Sequence, residues 1–349
     1  MKKVDFLIIG QGLAGSLLGF ELIQRGFKVV ILDKGVENAS QIAAGLINPV
    51  TGMRFVKSAE VDFLLPAAQQ YYNYLAYFFQ QKFYIEKPML RLLTSSKAHQ
   101  HAIKRLKNSD YADYLGDIIE TTRFNVPILE QKQTGYLQTQ ILLNTLKQFF
   151  IEHDSYQQST FDYEAIEFRE TVSYDSITAQ KIIFCEGYLA YKNPWFSKLP
   201  FQLAKGEILT LKSPQPLADY LLNYGQWMIP LDGSSFRTGA TFDRERINTQ
   251  LTSKGRHDLL TCLHTVLPET KMATVTKQQA NIRPCTLDKQ PFIGFHPKYP
   301  QLAIFNGFGA KGSLQIPYYC QQFATNLLKK VPLSETIDIK RYSMAWLPI

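Results

Sequence analysis

The sequence predicts an α/β fold built from two interleaved domains, and three observations support this prediction. The chain opens with an apolar run, a glycine-rich turn, a helical pattern and a second apolar run, VDFLIIGQGLAGSLLGFELIQRGFKVVILD. Further along, strand-like runs alternate with helical patterns, without an internal repeat or a low-complexity linker. The 349 residues are 45% hydrophobic and 19% charged, which suits a packed core in about two domains.

The opening segment predicts a strand, a tight turn and a helix in immediate succession. Val4–Ile9 has strand length, and the helical pattern from Ser16 to Arg25 ends at Gly26. The residues between them spell G-x-G-x-x-G. In such a turn the first glycine permits the tight bend, the second lets the backbone approach a pyrophosphate, and the third lets the helix pack closely on the strand. The residues assigned to this turn are Gly10, Gly12, Leu13, Ala14 and Gly15.

An acidic residue closes the second strand, Val29–Leu32. Asp33 follows Gly10 at close to the separation of about 20 residues that is typical of a carboxylate that binds ribose hydroxyls in this kind of fold. The same carboxylate would repel a 2′-phosphate, which argues against NADP. The segment therefore predicts a dinucleotide site that includes Asp33 and Lys34, and it leaves NAD and FAD open.

The middle of the chain predicts further elements of both kinds. Residues 39–55, ASQIAAGLINPVTGMRF, form a loop of small residues that suits a backbone lying against a flat ring or a phosphate. Residues 59–84 predict a helical region rich in aromatic residues that serve packing, and residues 135–153 predict an amphipathic helix. Later segments predict strands, including a hairpin that turns at Asp232-Gly233.

Composition excludes several classes of protein. The four cysteines are far apart in apolar contexts, which predicts buried reduced thiols in a cytoplasmic protein. The six histidines have no metal-ligand spacing, so no metal site is expected. The sequence contains no run of about 18 apolar residues, so a membrane span is not expected. The apolar segment that starts at Val4 is too short for a signal peptide. The net charge of +8 suits an anionic cofactor. The sequence has no long tract of lysine and arginine that would indicate binding to nucleic acid.

Together, the ordered motifs resemble the FAD-dependent oxidoreductases of the D-amino acid oxidase type, which include glycine oxidase and sarcosine oxidase. The segments that show the resemblance are GQGLAGSLLGFELIQRGFKVVILDKG, ASQIAAGLINP, GYLQTQILLNTL, KIIFCEGYLA, AKGEILTL, IPLDGSSFRTGAT, IRPCTLDKQPFIG and NGFGAKGSLQIP. The resemblance implies FAD as the cofactor and a glutathione-reductase-like FAD-binding domain of the Rossmann type. It also implies an interleaved substrate domain with a mixed or antiparallel sheet. The expected limits are 1–75, 130–200 and 282–349 for the FAD-binding domain and 76–129 and 201–281 for the substrate domain.

The resemblance also implies cofactor contacts outside the first turn. In the family the backbone of the last glycine loop lies over the pyrimidine end of the flavin. A helix that begins there, with Ser313 as its N-cap, would stabilise the negative charge of a reduced flavin. Lys311 either adds to this effect or is a solvated loop lysine. The further residues expected to bind the cofactor are Ala44, Gly45, Leu46, Gly187, Gly309, Lys311, Gly312, Ser313 and Leu314.

Three residues are candidates for contact with the substrate. Arg283 matches the arginine that grips the substrate carboxylate in the resembling family, and a planar guanidinium suits a carboxylate. The alternative is a structural ion pair with Asp288. Trp227 stands where some relatives have an active-site tyrosine, which leaves the size of the substrate open. Arg54, at the end of the small-residue loop, is a second candidate for binding an anion.

These residues predict an enzyme that uses FAD to oxidise the C–N bond of an amino acid or related amine to an imine. Two alternatives stay open. NGFGAKGSLQIP and AAGLINP also resemble the FAD domain of the bifunctional enzyme that completes methylaminomethyl-thiouridine in tRNA, so tRNA is a possible partner. The flavin could also be structural in a non-catalytic protein.

Overall fold

The computed structural model describes residues 1–346 of the chain, which fold as two compact units. Unit 1 contains Met1–Ile42, Thr139–Ala204 and the described residues from Ile282 onward, and unit 2 contains Ala43–Gln138 and Lys205–Asn281. No helix in this range is long and apolar enough to cross a membrane.

Within residues 1–346 the structure has seven α-helices, twenty-one strands and five 3-10 helices. The helices are α1 (Leu13–Gln24), α2 (Ala39–Ile42), α3 (Val61–Phe79), α4 (Ser96–Leu106), α5 (Thr139–Glu152), α6 (Ser253–Val266) and α7 (Gly312–Lys329). The strands are β1 (Lys2–Ile9), β2 (Val29–Asp33), β3 (Leu46–Ile47), β4 (Val50–Thr51), β5 (Val56–Lys57), β6 (Tyr84–Glu86), β7 (Met89–Leu92), β8 (Leu115–Ile119), β9 (Ile128–Gln131), β10 (Gly135–Leu137), β11 (Tyr156–Gln158), β12 (Ile166–Phe168), β13 (Val172–Tyr174), β14 (Ile177–Phe184), β15 (Ala204–Lys212), β16 (Leu221–Asn223), β17 (Trp227–Pro230), β18 (Ser235–Gly239), β19 (Thr274–Arg283), β20 (Phe292–Phe295) and β21 (Leu302–Asn306).

Unit 1 is built on an eight-stranded sheet whose centre is parallel. The strand order is β11-β2-β1-β14-β13-β12, and β21 also pairs with β14 and carries β20. The pairs β11/β2, β2/β1, β1/β14 and β14/β21 are parallel, whereas β12, β13 and β20 join antiparallel. The C-terminal halves of the two central strands, FLII of β1 and IIF of β14, are apolar and buried because a parallel sheet is covered on both faces.

Unit 2 contains a second eight-stranded sheet, with the order β19-β15-β18-β17-β16-β7-β9-β8. Its strands β15, β18, β17 and β16 form antiparallel neighbours, while β16 and β7 pair in parallel. Helix α6 covers one face, where Leu259 and Leu263 pack with apolar residues of β15 and β18. A three-stranded sheet, β3-β10-β6, and the β4-β5 hairpin complete the unit.

The limits of the two units differ from the expected domain limits. Residues 43–75 and 130–138 fold within unit 2, and residues 201–204 fold within unit 1. The physical reason is local strand pairing, since β10 pairs with both β3 and β6 and so ties the small-residue loop to unit 2. The assignment of cofactor to one unit and substrate to the other stays a prediction.

Several local predictions need correction. The segment 135–153 is not one helix, because Gly135–Leu137 forms β10 and the helix begins at Thr139. The hairpin at Asp232-Gly233 is confirmed, and Asp232 accepts hydrogen bonds from the backbone of Ser234 and Ser235. The cysteines are not uniformly buried: Cys185 and Cys320 are buried, Cys285 is half-buried and Cys262 is exposed.

The aromatic residues of α3 also divide into two groups. Tyr71 and Tyr72 are buried, as expected for packing. Tyr74, Tyr77 and Phe78 are exposed, so packing alone does not account for the whole aromatic set.

Candidate functional site

The first glycine turn lies where backbone segments meet too closely for side chains. A Cβ atom at Gly15 would lie 1.9 Å from the carbonyl oxygen of Gly10. A Cβ atom at Gly10 would lie 2.6 Å from the carbonyl oxygen of Cys185, and Gly10 has a positive φ of 106°. Glycine is therefore required at both positions, and the turn brings the ends of β1 and β14 together with the start of α1.

The N-terminus of α1 retains hydrogen-bond donors for an anion. Gly12 is the N-cap residue and contributes no side chain, so its position leaves room for a phosphate. The backbone N–H of Leu13 donates to Ser40 Oγ at 3.0 Å. The N–H groups of Ala14 and Gly15 have no acceptor within residues 1–346, as expected for donors that hold phosphate oxygens.

Asp33 fixes the turn in addition to its proposed role with ribose. Its Oδ2 atom accepts a hydrogen bond from the backbone N–H of Gln11 at 2.8 Å, and its Oδ1 atom accepts one from Gly35 at 2.7 Å. Both oxygens keep lone pairs for a hydroxyl group. Lys34 is exposed beside Asp33.

Asn306 joins two of the predicted cofactor segments. Its Nδ2 atom donates to the carbonyl oxygen of Gly187 at 2.8 Å, and its Oδ1 atom accepts from the N–H of Gly307 at 2.8 Å. Only 2% of Asn306 is exposed. The amide therefore cross-links the segment after β14 to the segment after β21 at the carboxyl edge of the sheet, where ligands of α/β proteins bind.

The last glycine loop packs against the segment that contains Arg283. The N–H of Gly309 donates to the carbonyl oxygen of Pro284 at 3.2 Å. A Cβ atom at Gly309 would lie 3.3 Å from Cys285 Sγ, and Gly309 has a φ of 54°. Unit 1 thus brings the Arg-Pro segment and the last glycine loop into direct contact.

Helix α7 begins two residues earlier than expected. Its first residue is Gly312 and its N-cap is Lys311, so the prediction that Ser313 is the N-cap was wrong. The backbone N–H of Leu314 donates to the carbonyl oxygen of Lys311, which commits that donor within the protein. The side chains of Ser313 and Leu314 are buried, so any contact of theirs with a cofactor would come from the backbone.

Lys311 is half-buried at the start of α7 rather than fully solvated. Burial, together with the positive charge of Lys289, lowers the pKa of Lys311. A lysine in this position places a positive charge beside the N-terminus of a helix, and an anion there would relieve the unfavourable interaction.

Arg283 ends β19 and is half-buried. Burial lowers its pKa, although a guanidinium stays charged at neutral pH. The ion pair with Asp288 that the sequence left open is not formed. Asp288 instead accepts hydrogen bonds from Arg341 Nε and from the Tyr342 hydroxyl, both at 2.8 Å.

In unit 2 the small-residue loop packs against Trp227. Ala44, Leu46 and Trp227 lie on one apolar cluster whose buried members are Met89, Tyr136, Leu221 and Ile229. A Cβ atom at Gly45 would lie 2.0 Å from the carbonyl oxygen of Leu137, so Gly45 is also a position that requires glycine. Arg237 NH1 donates to the carbonyl oxygen of Ala43 at 3.1 Å and so holds the start of the loop.

The other two candidate residues of unit 2 lie in different settings. The indole of Trp227 lies over Gly239, where an added Cβ atom would be 2.8 Å from Trp227 Cζ2. Arg54 lies in the turn between β4 and β5, where its side chain is exposed. The backbone carbonyl of Arg54 accepts a hydrogen bond from Arg105 Nε at 3.2 Å.

Ser40, Arg237 and Asn306 were not predicted as site residues from the sequence. Asn306 directly precedes the last glycine loop, and Ser40 lies in the small-residue loop, so both were close to recognised motifs. Their roles depend on contacts with residues more than 20 positions away, which spacing in the sequence does not reveal.

The segments of unit 1 fit a dinucleotide such as FAD. The first turn supplies N–H donors and glycine positions for a pyrophosphate, and Asp33 supplies a carboxylate for a ribose. The start of α7 supplies a helix N-terminus and Lys311 for the negative charge of a reduced flavin.

Comparisons with known proteins agree with this fit. The tRNA 5-methylaminomethyl-2-thiouridine biosynthesis bifunctional protein MnmC of Marinobacter nauticus is 23% identical over 93% of this chain and 55% of that protein. This chain therefore spans about half the length of that relative. Glycine oxidase of Geobacillus kaustophilus is 22% identical over 90% of each chain.

Solved structures show the same fold. The glycine oxidase structure from Geobacillus kaustophilus has a TM-score of 0.84, with 19% identity and 98% of each chain covered. The iminodiacetate oxidase structure from Chelativorans sp. BNC1 has a TM-score of 0.79, with 20% identity, and covers 95% of this chain and 98% of that chain. The predicted fold class is confirmed.

The family model described as FAD dependent oxidoreductase matches residues 5–325, almost the whole chain. The match confirms FAD as the cofactor and an enzyme as the kind of protein, and it gives no support to the non-catalytic alternative. The chain belongs to the FAD-dependent oxidoreductase family.

Proposed function

We propose that this enzyme oxidises the C–N bond of a small amino acid or related amine to an imine, which water then hydrolyses. The observation that carries the proposal is the position of Arg283, half-buried at the end of β19 in a segment that contacts the last glycine loop. The relatives named glycine oxidase and the structure named iminodiacetate oxidase support an amine substrate with a carboxylate.

Arg283 suits a carboxylate for physical reasons. A guanidinium offers two parallel N–H donors to the two oxygens of a carboxylate, and partial burial strengthens this interaction because less water competes for the charges. Asp288 does not neutralise Arg283, because Arg341 and Tyr342 hold that carboxylate. We assign Arg283 as the residue that orients the substrate through its carboxylate, because its guanidinium is half-buried in the segment that contacts the last glycine loop.

FAD, when bound, supplies the acceptor for the hydride that leaves the α-carbon of the amine. The amine nitrogen loses its proton and becomes the imine nitrogen. The chain contributes the orientation of the substrate by Arg283 and the positive environment of Lys311 and the N-terminus of α7. No side chain has to remove a proton from carbon if the amine binds in its neutral form.

Separate alanine substitutions of Arg283 and Arg341 test the proposal. Arg283→Ala should keep FAD bound and lower kcat/KM for amino-acid substrates by about tenfold to a hundredfold, since a charge-assisted hydrogen bond contributes about 1.5–3 kcal/mol. Arg341→Ala, the matched control, breaks the pair with Asp288 and should reduce thermal stability with little change in KM. Anaerobic bleaching of the flavin by a panel of amines provides the measurement. If no amine or imino acid bleaches the flavin, the proposed reaction is wrong.

A second candidate substrate is the side chain of a modified wobble uridine in tRNA. The match to MnmC and the net charge of +8 favour this candidate. Binding to phosphates would weaken steeply as salt increases, because cations are released from the nucleic acid. A gel-shift assay with bulk tRNA at low salt that shows no complex would exclude it.

A further inference from the structure

Three hydrogen-bond donors lie side by side on one face of the large sheet in unit 2. Arg91 of β7 is the partner of Asn223 of β16, and Asn223 is the partner of Trp227 of β17. Residues paired in this way point to the same face, and neighbouring strands are about 4.8 Å apart. We call Arg91, Asn223 and Trp227 the donor row.

None of the three side-chain donors has an acceptor among residues 1–346. The guanidinium of Arg91, the Nδ2 atom of Asn223 and the indole N–H of Trp227 take part in no hydrogen bond with a described residue, and Arg91 forms no ion pair there. The Oδ1 atom of Asn223 accepts a hydrogen bond from the backbone of Gly225. This bond fixes the amide so that its nitrogen remains available.

The surroundings keep Arg91 in place without neutralising it. Its guanidinium carbon lies 4.7 Å from the centre of the Phe55 ring, a cation–π contact that does not use its N–H donors for a hydrogen bond. Arg91 is half-buried, and this burial lowers the pKa of its guanidinium. The paired residues that continue the row are Leu129 on one side and Gly239 and Ile208 on the other, none of which carries a charge.

Elsewhere unit 2 does neutralise its buried charges. Lys205 and Glu207 are only 2% and 3% exposed, and their charged atoms lie 3.4 Å apart. Glu207 also accepts hydrogen bonds from Thr252 and Gln278. The open donors of the row are therefore a local feature of one sheet face.

We propose that the donor row is a carboxylate-binding site that makes the enzyme prefer amines with an acidic side chain. The proposal rests on the proposed function for its choice of ligand. A half-buried guanidinium, an amide and an indole N–H on adjacent strands offer several donors to one carboxylate, and the nearest paired residues are uncharged. An isosteric neutral amide would place its own N–H₂ group against these donors, so the site should reject it.

Matched substrates measure this preference. Flavin reduction by aspartate and asparagine, and by glutamate and glutamine, should be compared in both configurations with the FAD-loaded enzyme. We expect the acidic member of at least one pair to have a kcat/KM higher by about tenfold or more. Arg91→Gln should remove most of this ratio, and Trp227→Phe, which keeps an aromatic ring over Gly239, should reduce it less. The control Arg256→Gln changes an exposed arginine of α6 and should leave the ratio unchanged.

Calorimetric titration separates a failure of the donor row from a failure of the proposed reaction. Succinate, the neutral succinamide and inorganic phosphate are titrated into the FAD-loaded protein and into its Arg91→Gln variant. If succinate binds, succinamide and phosphate do not, and Arg91→Gln weakens succinate binding about tenfold, the site is supported even if no amine reduces the flavin. Equal binding of succinate and succinamide, or a succinate affinity that Arg91→Gln leaves unchanged, overturns it. Tighter binding of phosphate that depends on Arg91 also overturns the assignment to carboxylate.

Discussion

The predicted cofactor segments of unit 1 and the donor row of unit 2 differ in how their polar groups are satisfied. In unit 1, Asp33, Ser40 and Asn306 bind backbone groups of the cofactor segments and hold them to one another. In unit 2, Arg91, Asn223 and Trp227 present side-chain donors that no described residue accepts. A ligand of unit 1 would therefore contact mainly backbone groups held in fixed positions. A ligand of unit 2 would contact side chains, which substitutions can change.

This difference suggests how one fold can keep its cofactor while its substrates change. A backbone site depends on glycine positions and on a few buried hydrogen bonds, so most substitutions in it disturb folding as well as binding. A side-chain site on a sheet face can change its ligand through substitutions that leave the strands paired. The following predictions test the contrast, beginning with the largest effect.

Gly15→Ala should abolish FAD binding and destabilise unit 1. Its Cβ atom would lie 1.9 Å from the carbonyl oxygen of Gly10, so the turn or helix α1 must move. We expect a loss of about 1–3 kcal/mol in the free energy of unfolding and a protein purified without flavin. Flavin absorbance per protein and thermal melting measure the two effects. Gly233→Ala is the control, because no heavy atom lies within 4 Å of its added Cβ. A yellow Gly15→Ala protein would contradict the close approach.

Asn306→Ala should weaken FAD binding and also lower the stability of unit 1. The variant loses two hydrogen bonds, one buried and one partly buried, that join Gly187 and Gly307 and together contribute about 1–3 kcal/mol. We expect a higher dissociation constant for FAD, measured by fluorescence as the flavin is titrated into apoprotein. Asn73→Ala, on the exposed side of α3, serves as the control. If both variants bind FAD equally well, Asn306 does not position the cofactor segments.

Glu186→Gln should raise thermal stability at neutral pH. Burial raises the pKa of Glu186, although hydrogen bonds from Tyr163 and Asn193 act in the opposite direction. The folded state therefore holds the proton more tightly than the unfolded state does, and stability present at acidic pH is lost as pH rises through the raised pKa.

The melting temperature of Glu186→Gln relative to the wild type should accordingly increase from pH 5 to pH 8, in a series of thermal melts at matched ionic strength. A difference that stays constant, or one that increases toward acidic pH, would show that Glu186 is ionised throughout this range.

Arg91→Met should have the smallest effect on folding. The variant removes a half-buried charge that has no counter-ion among residues 1–346, and it also removes the contact with the Phe55 ring. These contributions oppose each other, so we expect the free energy of unfolding to change by less than about 1 kcal/mol. Urea denaturation measures this change. Destabilisation comparable to that of Gly15→Ala would mean that the donor row is structural and would remove the contrast between the units.

The sequence alone determined the parts of this protein that depend on local order. The first glycine turn, the hairpin at Asp232-Gly233 and the apolar end of β1 follow from short patterns, since tight turns and buried parallel strands restrict residue types locally. The same order of motifs indicated FAD and the family. The start of α7 was misplaced by local reasoning, because Lys311 is its N-cap without contributing a side-chain hydrogen bond.

Which distant residues contact each other depends on the tertiary structure. Asp288 pairs with Arg341, which is 53 positions away in the sequence, rather than with the nearer Arg283. The tertiary structure also places Asn306 between two glycine segments and aligns Arg91 with Asn223 and Trp227. Such partners depend on strand order and register, which arise from the packing of the whole unit. The spacing of residues in a single sequence does not predict them.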